Sequence, residues 1–151
     1  MGNISTNGII TLMRGDSFTT PILINIGTKL SPRYYKLSNT DKLYFGLMEP
    51  NQAFEDAVLK KTFDFISPQD ADGNTLLMLK PTDTEKLLVG KYYYMIKLRS
   101  IDAFGQEMVK TIVPPTLFWI EGNNVRIDAE PYYDKGHYEI DRVILEGGEI
   151  E

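Results

Sequence analysis

The sequence predicts an all-β fold, either a sandwich or a barrel. Short apolar runs alternate with turn residues at roughly 8–12-residue spacing, which is typical of these folds. No segment keeps the 3.6-residue hydrophobic period of an amphipathic helix. The 151 residues are enough for one domain with its own core and a short extension. Because the chain has no cysteine, that core must form without disulfides.

Two segments show the side-chain alternation of a strand that is buried on one face. Residues 42–48 place Leu43, Phe45 and Leu47 on one side. Residues 92–99 are the clearest strand, and their shared face consists of Tyr92, Tyr94, Ile96 and Leu98. The other predicted strands are 9–13, 18–26 with Pro21 at an edge or bulge, 58–65, 75–79, and two last core strands at 107–113 and 117–121, which Pro114-Pro115 should separate.

Turn residues mark the ends of these strands. Asp72-Gly73 is a strong hairpin signal within a turn at 68–74, and residues 102–105 form another turn. Residues 81–85 should form one capped helical turn, because Thr82 and Glu85 have the spacing of a capping box.

The sandwich should end near residue 122, since the strands predicted up to Glu121 already number about seven or eight. We therefore predict a sandwich at 1–122 and a C-terminal extension at 123–151, a possible docking hairpin or arm joined through Gly122-Asn123-Asn124. The extension is too rich in aromatic and β-branched residues for a disordered tail. It should pack on its own sandwich or, as we favour, bind a neighbouring subunit. Its candidate interface residues are Val125, Ile127, Tyr132, Tyr133, Tyr138 and Ile140.

Charge and hydropathy argue against two classes of partner. The net charge is −5 and no dense basic stripe occurs, whereas nucleic-acid binding depends largely on neutralising phosphates. No apolar run approaches the ~18 residues that a membrane span needs, and the N-terminus lacks the pattern of a signal peptide. We expect neither nucleic acid nor a membrane as a partner.

Short motifs that could carry chemistry have simpler explanations. Arg14-Gly15-Asp16 matches an adhesion tripeptide but fits a bent strand end, where glycine permits the turn. Residues 70–74 resemble half a calcium loop, yet position 12 of that loop would be Pro81, so a hairpin turn is the better interpretation. His137 is the only histidine, and no zinc set or serine–histidine pair can be built around it. We predict no catalytic residue, metal or cofactor.

Aromatic pairs leave one alternative open. Tyr34-Tyr35 and Tyr132-Tyr133 lie in predicted loops, where they could stack on a sugar. Packing in the core or at a protein interface is the interpretation that we favour, because tyrosine suits half-buried surfaces.

The segment from Leu87 to Tyr94 resembles the tyrosine corner of immunoglobulin-like sandwiches. A leucine and a glycine turn precede tyrosines at alternate positions, so the corner residues would be Gly90, Tyr92 and Tyr94. The resemblance implies that the buried Tyr92 hydroxyl bonds to backbone upstream, in or near 83–89. The fold would then be an immunoglobulin-like antiparallel β-sandwich with a short C-terminal extension.

Together with the opening Met13-Arg14-Gly15-Asp16-Ser17-Phe18, this pattern resembles the N-terminal immunoglobulin-like domain of phage upper-baseplate proteins over about residues 9–121. The resemblance implies a non-enzymatic virion structural protein of the tail, baseplate or neck, assembled in the host cytoplasm. Its partners would be other virion proteins in a symmetric assembly. The alternatives are a capsid decoration or auxiliary protein and a small carbohydrate- or receptor-binding module.

Overall fold

The computed structural model describes residues 2–5 and 7–122, and their fold is all-β and sandwich-like, as predicted. These residues form two sheets: a six-stranded sheet in the order β1-β2-β8-β7-β4-β5 and a two-stranded sheet of β3 and β6. One helical turn, α1, spans Pro81–Thr84, and a 3-10 turn spans Phe54–Asp56. The strands are β1 Asn3–Ile4, β2 Ile10–Met13, β3 Phe18–Pro21, β4 Lys42–Met48, β5 Leu59–Asp64, β6 Leu76–Leu79, β7 Gly90–Ile101 and β8 Glu107–Glu121.

The chain divides into two compact units, and the first consists of Met1–Phe18, Leu79–Lys91 and Phe118–Glu151. In its described part, β2 pairs in parallel with the end of β8, with Ile10 opposite Phe118 and Leu12 opposite Ile120. All four of these side chains are buried. Matching period-two patterns on the paired strands therefore form one apolar face.

The second unit consists of Thr19–Met78 and Tyr92–Leu117. Its β4 lies between β5 and β7 and pairs antiparallel with both. Leu43, Phe45 and Leu47 are almost fully buried, as predicted, and the Phe45 ring stacks on Tyr94 with centroids 5.9 Å apart. The opposite face of β4 is also covered, because Phe54 lies against Gly46 so closely that a Cβ atom there would be 2.7 Å from the ring.

The prediction that Pro114-Pro115 separates two strands is wrong, because β8 runs without interruption from Glu107 to Glu121. Proline fixes φ near −65°, which is compatible with extended backbone, and its missing N–H is tolerated at a sheet edge. The prediction that 107–113 is a core strand is also wrong for its first five residues, since 107–111 are all exposed.

The predicted helical turn exists, but its capping box lies two residues earlier than the sequence suggested, at Lys80 and Asp83. The helix begins at Pro81, and the carboxylate of Asp83 accepts a hydrogen bond from the Lys80 backbone N–H at 2.7 Å. Proline favours the first helical position because its missing N–H would have no helical partner there. The Thr82 and Glu85 pairing was therefore wrong, and Pro81 is the residue that sets the register.

Candidate docking surface

The turn of the β7–β8 hairpin and the first residues of β8 are exposed. Every residue from 103 to 111 is exposed to solvent. Successive side chains of a strand point to opposite faces, so the described residues cover neither face of β8 over residues 107–111, whereas residues 99–101 of β7 are half-buried. We call residues 99–113 the hairpin arm.

The tip of the hairpin arm is a tightly bonded turn rather than a loose loop. The carboxylate Oδ1 of Asp102 accepts hydrogen bonds from the backbone N–H groups of Phe104 at 2.8 Å and Gln106 at 2.9 Å. Gly105 adopts a φ of +78°, which favours glycine, and donates its N–H to the Asp102 carbonyl at 3.0 Å. This turn holds the Phe104 side chain 90 % exposed.

One long edge of β8 is open over most of its length. Within the described residues, β8 neighbours β7 on one side and β2 on the other, but β2 pairs only with Phe118–Glu121. The backbone of residues 107–117 on that side therefore has no strand partner among the described residues. Such an edge presents N–H and C=O groups that can pair with another chain.

The side chains of the hairpin arm combine apolar surface with a balanced pair of charges. Met108 and Val109 are more than half exposed. Arg99 and Glu107 form an ion pair across the hairpin at 2.9 Å, and the Arg99 guanidinium also donates to the Thr40 carbonyl at 3.2 Å. The arm thus has a fixed base and an apolar outer part, a combination that suits protein contact.

The predicted corner residues are placed consistently with part of their expected role. Tyr92 and Tyr94 are 5 % and 3 % exposed, and Gly90 has a φ of +146°. Burial raises the pKa of the Tyr94 hydroxyl above its ordinary value. The upstream backbone partner of the Tyr92 hydroxyl stays a prediction. The predicted interface residues Val125, Ile127, Tyr132, Tyr133, Tyr138 and Ile140 lie outside the described residues.

The Arg14-Gly15-Asp16 motif forms a bent strand end, as predicted. Gly15 has a φ of +85°, and the Asp16 N–H bonds to the Met13 carbonyl at 3.0 Å. Arg14 is 9 % exposed, and its guanidinium donates to the Leu87 carbonyl at 3.2 Å. A buried arginine cannot be read by an adhesion receptor, so the motif is structural.

The turn at 70–74 uses its carboxylate internally. Asp70 Oδ1 accepts the N–H groups of Asp72 and Asn74, both at 2.9 Å, and Oδ2 accepts the Asn74 amide at 3.2 Å. These bonds, led by the Asn74 backbone N–H, lower the pKa of Asp70. The hairpin-turn interpretation is confirmed, since a Gln69–Thr75 bridge closes it.

The sugar-stacking alternative for the Tyr34-Tyr35 pair stays a prediction, and the two side chains have different surroundings. The Tyr35 hydroxyl donates to the buried Asp41 carboxylate, which also accepts the Ser38 N–H at 2.8 Å. Tyr34 is 38 % exposed, with the Lys36 ammonium 5.9 Å from its ring centroid. Tyr132-Tyr133 lies outside the described residues.

Other functional features are limited to what residues 2–5 and 7–122 contain. There, no group of three or more metal-ligating side chains comes together. None of the described helices has the length and apolarity that crossing a membrane would require. No family model, curated protein or solved structure matches the chain.

Sequence reasoning missed the hairpin arm, although the residues held a signal. Glu107 and Lys110 differ by an odd number of positions, so they place one charge on each face of the same strand. A strand buried on one face would not carry charges on both. The presence of charged residues on both faces of the strand, rather than its apolar content, would have identified the hairpin arm.

Proposed function

We propose that the chain is a non-enzymatic structural protein of a tailed-phage virion, in the tail, baseplate or neck. It works by docking on other virion proteins, without chemical turnover. The observation that carries the docking role is the open β8 edge at 107–117, together with the exposed residues 103–111 of the hairpin arm. The virion context rests on the resemblance of the Met13–Phe18 opening and the Gly90–Tyr94 segment to phage baseplate sandwiches.

Strand addition is the mode of docking that this surface favours. An incoming strand would pair with the backbone of residues 107–113, and its side chains would meet Met108 on one face and Val109 on the other. Pro114 and Pro115 cannot donate hydrogen bonds, so they would limit the length of the added strand and fix its register.

The test is the composition of purified particles of the phage whose genome encodes the chain. We compare Val109→Lys on the open edge with Val58→Lys, a matched change at another exposed valine. A charge on an edge blocks strand pairing without disturbing the fold. Val58→Lys should be recovered like the unchanged chain, whereas Val109→Lys should fall by about tenfold or more, the equivalent of ~1.4 kcal/mol of binding.

Two results would overturn the proposal. Particles that lack the unchanged chain would exclude a virion role, and equal recovery of Val109→Lys would exclude the open edge as the docking site. Thermal unfolding of both purified variants controls for folding. Copy number then separates the locations, since a closed ring fits tail or neck and a far higher number fits capsid decoration.

A further inference from the structure

A second hairpin of the chain, which the docking role of β8 does not use, presents an apolar tip among basic residues. Residues 24–36, here called the basic hairpin, contain Lys29, Arg33 and Lys36 and no acidic residue. Leu30 at its tip is 99 % exposed and Ile26 is 50 % exposed. A leucine at this exposure contributes nothing to the core, so core packing does not explain why residue 30 is apolar.

The basic hairpin is held in one conformation by its own hydrogen bonds. The Ile26 N–H bonds to the Arg33 carbonyl at 2.7 Å, and the Tyr35 N–H to the Ile24 carbonyl at 2.8 Å. The side-chain oxygen of Asn25 accepts the N–H groups of Gly27 at 2.8 Å and Arg33 at 3.1 Å. A preorganised loop loses less conformational entropy when a partner binds its tip.

Two of its positive charges have no acidic partner in the described part of the chain. Lys29 and Arg33 are exposed and form no ion pair there, whereas the Lys36 ammonium donates to the Asn74 side-chain oxygen at 2.7 Å. Lys29 and Arg33 therefore remain available to an acidic partner, and the exposed Leu30 lies between them in sequence.

The sequence carries a segment of matching chemistry. Residues 123–151 hold eight of the 21 acidic residues and three of the 16 basic ones. Their net charge is therefore −5, the charge of the whole chain, and residues 1–122 are neutral overall. The same segment holds the apolar residues Tyr132, Tyr133 and Ile140, which could cover an exposed leucine.

We infer that the basic hairpin binds the acidic, aromatic segment 123–151 of a second copy of the chain. Complementary charge attracts the segment and fixes its partner, while Leu30 supplies the apolar contact. Each copy offers both a hairpin and a segment, so two copies can exchange segments in a closed dimer, or successive copies can join in a ring or an open filament. This inference rests on the proposed structural role, and it names a second copy of the chain as the partner of the basic hairpin.

The experiment measures self-association of the full chain by sedimentation velocity over a concentration series. Lys29→Glu with Arg33→Glu reverses the charge of the hairpin, and Lys80→Glu with Lys86→Glu makes the same net change at two other exposed lysines. We expect the first pair to weaken association by about tenfold or more, because like charges at an interface are strongly unfavourable. The control pair should associate like the unchanged chain, and added salt should weaken association.

Leu30→Ser tests the apolar contact with little effect on the fold, because Leu30 makes almost no contact with the described part of the chain. Leu30→Ser should also weaken association by about tenfold. A synthetic peptide of residues 123–151 should inhibit association of the unchanged chain, because it competes for the basic hairpin. A chain that stays monomeric at all concentrations would overturn the inference, and so would association that ignores the hairpin variants and the peptide. Leu30-dependent binding to anionic lipid vesicles without self-association would also overturn it.

Failure of this inference is distinguishable from failure of the proposed function. A monomeric chain whose recovery in particles still depends on Val109 would remove the hairpin contact and keep the docking role. Self-association through the basic hairpin in a chain that particles lack would do the reverse.

Discussion

The hydroxyl oxygen of Thr84 accepts a hydrogen bond from the backbone N–H of Gly15 at 2.9 Å, although 69 residues separate the two in sequence. Thr84 is completely buried at the end of α1, and Gly15 lies in the bend after β2. The bond joins two local structures of the same unit that share no strand pairing. It also explains why a polar side chain occupies a fully buried position.

Thr84→Val should lower the free energy of unfolding by about 1–3 kcal/mol, because the shape is kept and the partly buried Gly15 N–H loses its acceptor. Urea unfolding measures the change. Thr84→Ser is the matched control, since it keeps the hydroxyl and should cost less than Thr84→Val. Equal stability of Thr84→Val and the unchanged chain would show that water replaces the bond.

Alkaline pH should destabilise the fold through Tyr35 and Tyr94. The hydrogen bond from Tyr35 to the Asp41 carboxylate, followed by burial and by the negative charge, raises the pKa of Tyr35 above 10.0, and burial does the same for Tyr94. As the pH rises past 10.0, the unfolded chain loses these protons first, so the free energy of unfolding should fall. The fall continues until the pH passes the raised pKa values of the folded state.

Tyr35→Phe isolates one part of this pH dependence. The variant should show a shallower loss of stability above pH 10.0 than the unchanged chain, measured by urea unfolding at a series of pH values. Tyr94→Phe should remove the other part. Parallel pH profiles for all three chains would contradict the assignment.

Calcium should leave the thermal stability unchanged. All three polar contacts of the Asp70 carboxylate are hydrogen bonds within its own turn, and the residue at position 12 of a calcium loop would be Pro81. A ligand that binds only the folded state raises the melting temperature. If the turn binds no calcium, thermal scans with calcium and with chelator should therefore give the same melting temperature. A shift of several degrees between the scans would reveal a site.

Gly46 and Phe54 should be strongly coupled. A Cβ atom at Gly46 would lie 2.7 Å from the Phe54 ring, which also faces the Lys97 ammonium at 4.8 Å from its centroid. Gly46→Ala should therefore cost about 1–3 kcal/mol by overpacking. In the double variant with Phe54→Ala the clash is absent, so the two effects should not add in urea unfolding.

The sequence predicted most strands because their apolar residues recur at period two, as in β4, whose bounds match the expected 42–48. It did not reveal that Phe54 covers the second face of β4, because that contact depends on a turn folding back over the strand. Pro114 and Pro115 misled for a related reason: proline forbids a ladder hydrogen bond, not an extended backbone. A strand needs that hydrogen bond only on an edge where another strand pairs with it, and the local sequence does not show which edges are paired.

The candidate docking surface was less predictable than the fold. Exposure at 103–111 depends on which other elements pack against the hairpin arm, and the local sequence of a strand does not specify those neighbours. The turn at the tip was easier to predict, since Asp102 and Gly105 have the positions that a tight turn requires. The turn was predicted, but the exposure of Phe104 at its tip was not.

Deletion of residues 123–151 should leave a folded protein that no longer associates with itself. The eight strands that the structure describes lie between Asn3 and Glu121, and among the described residues these strands supply the buried side chains of both sheets. The deletion also removes the entire net charge of −5 and the apolar residues inferred to bind the basic hairpin. Circular dichroism should therefore show an unchanged β spectrum and cooperative melting, while sedimentation shows a monomer. If the deletion instead abolishes cooperative melting, the segment completes the core of its own chain, and the docking role of residues 123–151 is wrong.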